Sequence, residues 1–218
     1  MKSPIKLVFG FFFMISGIAS SQEKPLFGVN AGVTYSNIRG NEYADEFKYD
    51  ADFLVGVSAE IPLSNKWSVS GNINYERKSF KRDFEVIYLE FRDFNDTAFP
   101  KGNVKIRETF SYLAVPINVR YYIGSKKQFF VNGGIYTAFF LDSKVKSDGK
   151  IQPLDNDGFT TVEVGADLGA GYVFRLNDKN SLNVEIRDNL GLSNGSSSEN
   201  SKFRTNSVNL ILNWQFAL

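Results

Sequence analysis

From residue 27 onward the chain alternates apolar and polar side chains with a period of two, and it does so in eight separate runs. Successive side chains of an extended strand point to opposite faces, so each run defines a strand with one apolar and one polar face. The first run places Phe27, Val29, Ala31, Val33 and Tyr35 on one face and Gly28, Asn30, Gly32, Thr34 and Ser36 on the other. The next apolar faces are Phe53 to Ile61, Trp67 to Tyr75, Leu113 to Tyr121 and Phe129 to Leu141. The last three are Val162 to Phe174, Leu182 to Leu192 and Val208 to Leu218. No run of helical period competes after residue 25. The pattern predicts an all-β chain.

Each run is about 10 residues or longer, the span with which an inclined strand crosses a bilayer. The connections alternate too. Residues 62–66, 124–127 and 176–180 read as tight turns of Pro, Gly, Ser, Asn and Asp, whereas 39–50, 77–108, 142–160 and 194–204 are long. Short turns at one end and long loops at the other predict an eight-stranded antiparallel up-and-down transmembrane β-barrel. Both termini then lie on the short-turn, periplasmic side.

A soluble secreted ligand-binding barrel also alternates, with its apolar face inward. Lysine placement argues against it. The lysines, Lys78 and Lys81 among them, fall in segments that read as termini, turns, loops or strand ends. The polar faces within the runs are instead Gly, Asn, Ser, Asp, Glu and a few Arg, which suit the narrow lumen of eight strands. Aromatics make up 15% of the chain. At the turn side of the apolar faces stand Phe27, Trp67, Tyr121, Phe129, Phe174, Trp214 and Phe216, which read as a periplasmic aromatic girdle at the lipid headgroups.

Residues 1–21 read as a cleaved signal peptide: Lys2 and Lys6, then an apolar stretch from Leu7 to Ile18, then Ala19-Ser20-Ser21. Residues 22–218 are expected to form one outer-membrane β-barrel domain. The expected location is the outer membrane of a Gram-negative bacterium. Asn209, Trp214, Phe216 and Leu218 resemble the terminal signal read by the outer-membrane insertion machinery, although Ile211 stands where a small residue is usual. The same residues are also simply those of a last amphipathic strand.

Several motifs together resemble the PorT-like outer-membrane β-barrel family of Bacteroidetes. They are Gly28-Val-Asn-Ala-Gly32, Pro62-Leu-Ser, Tyr112-Leu-Ala-Val-Pro-Ile-Asn-Val-Arg-Tyr121, Gly133-Gly134, Gly169-Ala-Gly-Tyr172 and Arg187-Asp-Asn-Leu-Gly-Leu-Ser-Asn194. The resemblance implies an integral outer-membrane barrel, and some family members serve the type IX protein secretion system. Asp188 departs from the pattern, which more often has an aromatic there. By parity it faces lipid, so it lies at the rim or the register slips by one residue.

The chain has no Cys and no His. That removes thiolate and imidazole chemistry, including the base on which barrel hydrolases rely, so no enzyme, no cofactor and no metal centre is expected. The predicted lumen holds Asp52, Glu60, Glu76, Arg120, Glu163, Asp167, Arg175, Glu185 and Arg187. Buried charges need partners, so Arg120 and Arg187 are expected to pair with carboxylates and plug the barrel. The alternative is a narrow pore for small solutes. The longest connection carries Phe80, Phe84, Tyr88, Phe91, Arg92 and Phe94, aromatics interleaved with charges that suit a protein partner at the extracellular loops. The same aromatics could instead pack on themselves over the barrel mouth. Acids match bases in this segment, so no nucleic acid is expected. Asp155-Asn-Asp157-Gly158 resembles a fragment of a calcium loop without its other ligands, and reads as a surface turn. The expected partners are outer-membrane lipid, the insertion machinery and a protein at the loops. The expected role is structural or interaction-based, with an accessory place in a secretion machine as a further alternative.

Overall fold

A computed structural model describes residues 24–87, 101–147, 150–154, 156–197 and 202–217. The signal-peptide reading falls outside them. The strands are β1 (Leu26–Arg39), β2 (Lys48–Pro62), β3 (Trp67–Ile87), β4 (Lys101–Ile123), β5 (Phe129–Ser147), β6 (Lys150–Pro153), β7 (Val162–Arg175), β8 (Asn180–Gly191) and β9 (Arg204–Ala217). Eight of them form a closed antiparallel ring in the order β1, β2, β3, β4, β5, β7, β8, β9. The ring closes where β9 returns to β1, from Leu26 opposite Ala217 to Arg39 opposite Arg204. Strand β6 pairs only with β5, as a short hairpin beyond the ring.

The apolar runs point outward. Ile135, Leu168 and Ile186 are 64%, 70% and 59% exposed. A water-soluble barrel would bury these side chains at roughly 25 cal/mol for each Å² removed from water. An outward apolar face is stable only against lipid, which excludes the soluble ligand-binding barrel. Full closure leaves no free strand edge, as a bilayer requires.

Two long connections shrink. The segment 77–108, which reads as a loop extending its hairpin, is strand as far as Ile87 and again from Lys101. Lys78 and Phe80 continue the inward row of Ser68, Ser70, Asn72, Asn74 and Glu76. Likewise β5 runs to Ser147 and turns back as β6, where the sequence pattern predicts a loop from 142. A short helix, α1 (Glu42–Asp45), sits in the first connection, capped by the Asn41 side chain, which accepts from the Ala44 amide at 2.7 Å.

At the opposite end the turns are tight. The amides of Leu63 and Ser64 both bond the Trp67 carbonyl, at 2.8 and 3.0 Å. Gly124 and Lys127 supply the positive φ values, 79° and 48°, of the next turn. Two glycines inside β7 serve packing. The Tyr136 ring lies over Gly165 and the Phe130 ring over Gly171, so that a Cβ would stand 2.3 Å from each ring. Asp188 pairs with Leu168 and Val208 in unbroken register, so no slip occurs. Its side chain points outward between those of Ile186 and Leu190.

Candidate functional site

The lumen is filled at two levels, and both are built from the inward positions of the strands. Toward the turn end, Arg120 on β4 donates from Nη1 to Glu60 at 2.7 Å and from Nη2 to Glu185 at 3.1 Å. Arg187 donates to Glu185 at 2.6 Å. The Arg120 guanidinium also stacks over Phe130, 3.9 Å from the ring centre. Glu60 accepts further bonds from Ser68 at 2.6 Å, Gln215 at 2.9 Å and the Tyr122 hydroxyl. Asn30 donates to Asn72 and Asn74 at 3.0 and 2.9 Å, which ties β1 to β3 across the lumen. Glu60, Arg120 and Glu185 thus brace β2, β4 and β8, strands that are not neighbours in the ring.

Toward the loop end, Lys78 Nζ lies 2.6 Å from Glu163 and donates to Thr205 at 2.9 Å. Tyr136 and Thr205 both donate to the same Glu163 oxygen, at 2.7 and 2.8 Å. The Lys78 ammonium sits 5.0 Å from the Tyr112 ring centre and 5.2 Å from that of Tyr136. Beyond this cluster the interior becomes aromatic. Phe110 packs on Phe80, Phe159, Phe140 and Phe203 with ring centres 5.0, 4.8, 6.0 and 6.0 Å away. Phe47 packs edge-on to Phe80 at 5.1 Å, and Ile38 and Ala44 complete the cluster.

Of the expected lumenal residues, Glu60, Glu76, Arg120, Glu163, Asp167, Glu185 and Arg187 are all buried inside the ring. Asp52 lies higher, against Arg107 at 3.0 Å and Arg77 at 3.5 Å. Arg175 is a correction: it closes β7 at the turn end, where it is exposed and borders an open vestibule of about 300 Å³ with Glu60 and Tyr122. Its parity is inward, but the strand ends there, so its side chain reaches water. Lys78 is the reverse correction. The sequence reading puts it in a connection, yet it is 1% exposed at the centre of the upper cluster. Its position two residues after Glu76 carries the signal.

The girdle residues Phe27, Trp67, Phe129, Phe174 and Trp214 are outward and exposed, while Tyr121 and Phe216 are partly covered. Trp67 packs on Tyr121 at 4.7 Å. Tyr172 joins them, 4.8 Å from Phe129 and 4.6 Å from Phe174. In the expected partner-binding segment, Phe80 is not on a surface loop but fully buried in the aromatic cluster. Phe84 is exposed on β3. Tyr88, Phe91, Arg92 and Phe94 lie outside the described residues.

A charged collar surrounds the loop end. Asp50 meets Arg107 at 2.5 Å and Lys81 at 3.4 Å. Burial works to raise the Asp50 carboxyl, but the Arg107 and Lys81 cations outweigh it and hold the group below the usual carboxylate range. A hydrogen bond from Ser111, assisted by Lys144, lowers Asp142 in the same direction. A carboxyl depressed by folding stabilises the fold above its unfolded pKa, about 3.9 for Asp, and that contribution disappears as pH falls through the lower folded value. The collar is therefore expected to loosen below about pH 4. The expected result is weaker amide protection, measured against the intrinsic exchange rate at each pH, in β3 and β4 beyond Lys78 at pH 3 than at pH 6, with protection at the turn end unchanged. Equal protection at the two pH values would refute it.

A closed ring with an apolar exterior, outward aromatics at the turn end and an ion-paired interior defines an outer-membrane β-barrel. The chain belongs to the outer membrane protein beta-barrel domain family, whose model matches residues 19–197. Among curated proteins, none matches it. Solved structures similar to it include Ail, the attachment invasion locus protein of Yersinia pestis, at 14% identity and TM-score 0.44, over 89% of this chain and 100% of that one. Neisserial surface protein A is similar at 10% identity and TM-score 0.47, over 88% of this chain and 97% of its own. The outer membrane protein OprG from Pseudomonas aeruginosa is similar at 15% identity and TM-score 0.43, over 89% of this chain and 97% of its own.

Proposed function

We propose that this barrel is closed and non-catalytic, and that it works at the cell surface as a structural and interaction protein, with both termini in the periplasm. The observation that carries this reading is the filled lumen. Glu60, Arg120 and Glu185 cross it at one level, Lys78 and Glu163 at the next, and the Phe110 cluster stands above them. A lumen of eight strands has room for side chains and little else. Among the segments beyond the ring, the hairpin of β3 and β4, which continues to Ile87 and Lys101, is the one we assign to a partner. The absence of His and Cys from the sequence supports a non-catalytic role. The motif from Tyr112 to Tyr121 supports a place among PorT-like barrels of Bacteroidetes, and an accessory role in a type IX-like secretion machine is the second reading.

Two measurements test the proposal. In planar bilayers the purified barrel is expected to give no steady single-channel current, and a large stable conductance would overturn the closed-barrel reading. Deleting Arg82 to Gly102 and crosslinking in native membranes is expected to remove a surface partner while heat-modifiability on gels persists. Unchanged crosslinks and unchanged phenotype would overturn the assignment to this hairpin.

A further inference from the structure

We propose that the middle of the lumen binds one divalent, oxygen-seeking cation of the Ca²⁺ type, held between Asp167 and Glu76. The first argument is charge. Among the described residues the buried lumenal cations are Lys78, Arg120 and Arg187, and the buried carboxylates are Glu60, Glu76, Glu163, Asp167 and Glu185. The five carboxylates exceed the three cations by two charges. The ion pairs consume Glu60, Glu163 and Glu185. Glu76 and Asp167 remain outside every ion pair, with Lys78 and Arg187 acting on them only through space. Among the described residues, Glu76 receives only the Ser207 hydroxyl, at 3.2 Å. Both Asp167 oxygens are shielded from solvent and have no hydrogen-bond partner there. An ionised carboxylate in that state costs several kcal/mol, so it takes either a proton or a counter-charge.

The second argument is a set of orphaned amides at the same place. Asn118 is 1% exposed, and neither its Oδ1 nor its Nδ2 has a partner among the described residues. The Oδ1 of Asn189 is likewise unpartnered. The strand register brings these residues into one row: Asn118 opposite Gly134, Gly134 opposite Asp167, Asp167 opposite Asn189, and Asn189 opposite Ser207. Gly134 contributes no side chain, and the Asn118 Oδ1 lies 2.3 Å from where a Cβ there would stand. Asn118 therefore leans over Gly134 toward Asp167 and lies beside its carboxylate without a hydrogen bond of normal geometry. Ser207 connects the row to Glu76.

The row thus presents two carboxylates, two carboxamide oxygens and a hydroxyl, with no nitrogen or sulfur ligand. All-oxygen donor sets select hard cations, and a charge of +2 matches the excess of two. Mg²⁺ retains several waters and demands an octahedron, whereas Ca²⁺ accepts an irregular set of protein oxygens. Solvent-shielded donors leave little room for retained water, which favours Ca²⁺.

The test uses the full mature chain folded in detergent micelles, stripped with chelator and titrated with CaCl₂ by calorimetry, with heat-modifiability as a second readout. The expected result is one Ca²⁺ per chain and a higher unfolding temperature with Ca²⁺ than with chelator. Asp167→Asn and Glu76→Gln are each expected to abolish the binding. In chelator both variants are expected to unfold at a higher temperature than the parent, because each removes an uncompensated charge. Binding that survives Asp167→Asn but is lost in Asp157→Asn would place the ion on the surface turn and overturn the proposal. An absence of Ca²⁺ binding, together with an infrared carboxylic-acid band lost in Asp167→Asn, would mean that protons neutralise the row, and would also overturn it. Neither outcome bears on whether the barrel conducts.

Discussion

Replacing Lys78 by Met is expected to destabilise the folded barrel by about 3–5 kcal/mol, the usual cost of removing one partner from a buried ion pair. The size follows from what stays behind. Glu163 is buried, and its remaining donors, Tyr136 and Thr205, are neutral hydroxyls. Methionine fills a similar volume, so the loss is electrostatic rather than a cavity. The double variant Lys78→Met with Glu163→Gln is expected to recover most of that loss, because the amide oxygen still accepts from Tyr136 and Thr205 and position 163 no longer carries a bare charge. Urea unfolding of the four proteins of this double-mutant cycle in detergent is the measurement. A Lys78→Met protein within about 1 kcal/mol of the parent would show that the pair is not buried in the folded barrel.

Phe110→Ala is expected to cost about 3–5 kcal/mol, the range for truncating a fully buried aromatic. Phe110 touches Phe80, Phe140, Phe159 and Phe203, which come from β3, β5, the connection before β7 and the chain entering β9. Its removal leaves a void that rings from four different segments border, and these cannot all move in together. The loop end is expected to open to added protease while the turn end stays protected. Conductance is expected to stay absent, because Arg120 with Glu60 and Glu185 still crosses the lumen below. Phe84→Ala on β3 is the control. Phe84 is exposed, and its loss is expected to fall within about 0.5 kcal/mol. Equal losses for the two variants would mean that the aromatic cluster is not a packed core.

The sidedness of nearly every strand residue is legible in the amino-acid pattern. Val33, Ile73, Ile135 and Leu212 face outward, and Asn30, Glu76, Asn118 and Asn213 face inward, as parity requires. The outward aromatics of the turn end are legible for the same reason, since turn residues mark one end of every strand. Depth is not. Arg175 shares the inward parity of Asp167 yet is exposed, because it stands where β7 ends. Phe80 reads with the surface aromatics because Lys78, Lys81 and Arg82 around it suggest a solvated loop. Strand β3 instead continues, and its inward face carries Lys78 and Phe80 into the closed interior.

By itself, the sequence determined that the chain is a transmembrane β-barrel, because a period of two sustained over strands of membrane-spanning length assigns each side chain to lipid or lumen without reference to any other strand. Only the tertiary structure decided which lumenal groups meet. Lys78 and Glu163 are 85 residues apart, and Arg120 and Glu185 are 65. Their contact depends on how β9 closes onto β1 and on the stagger of every strand between, a property of the whole ring that no local pattern encodes.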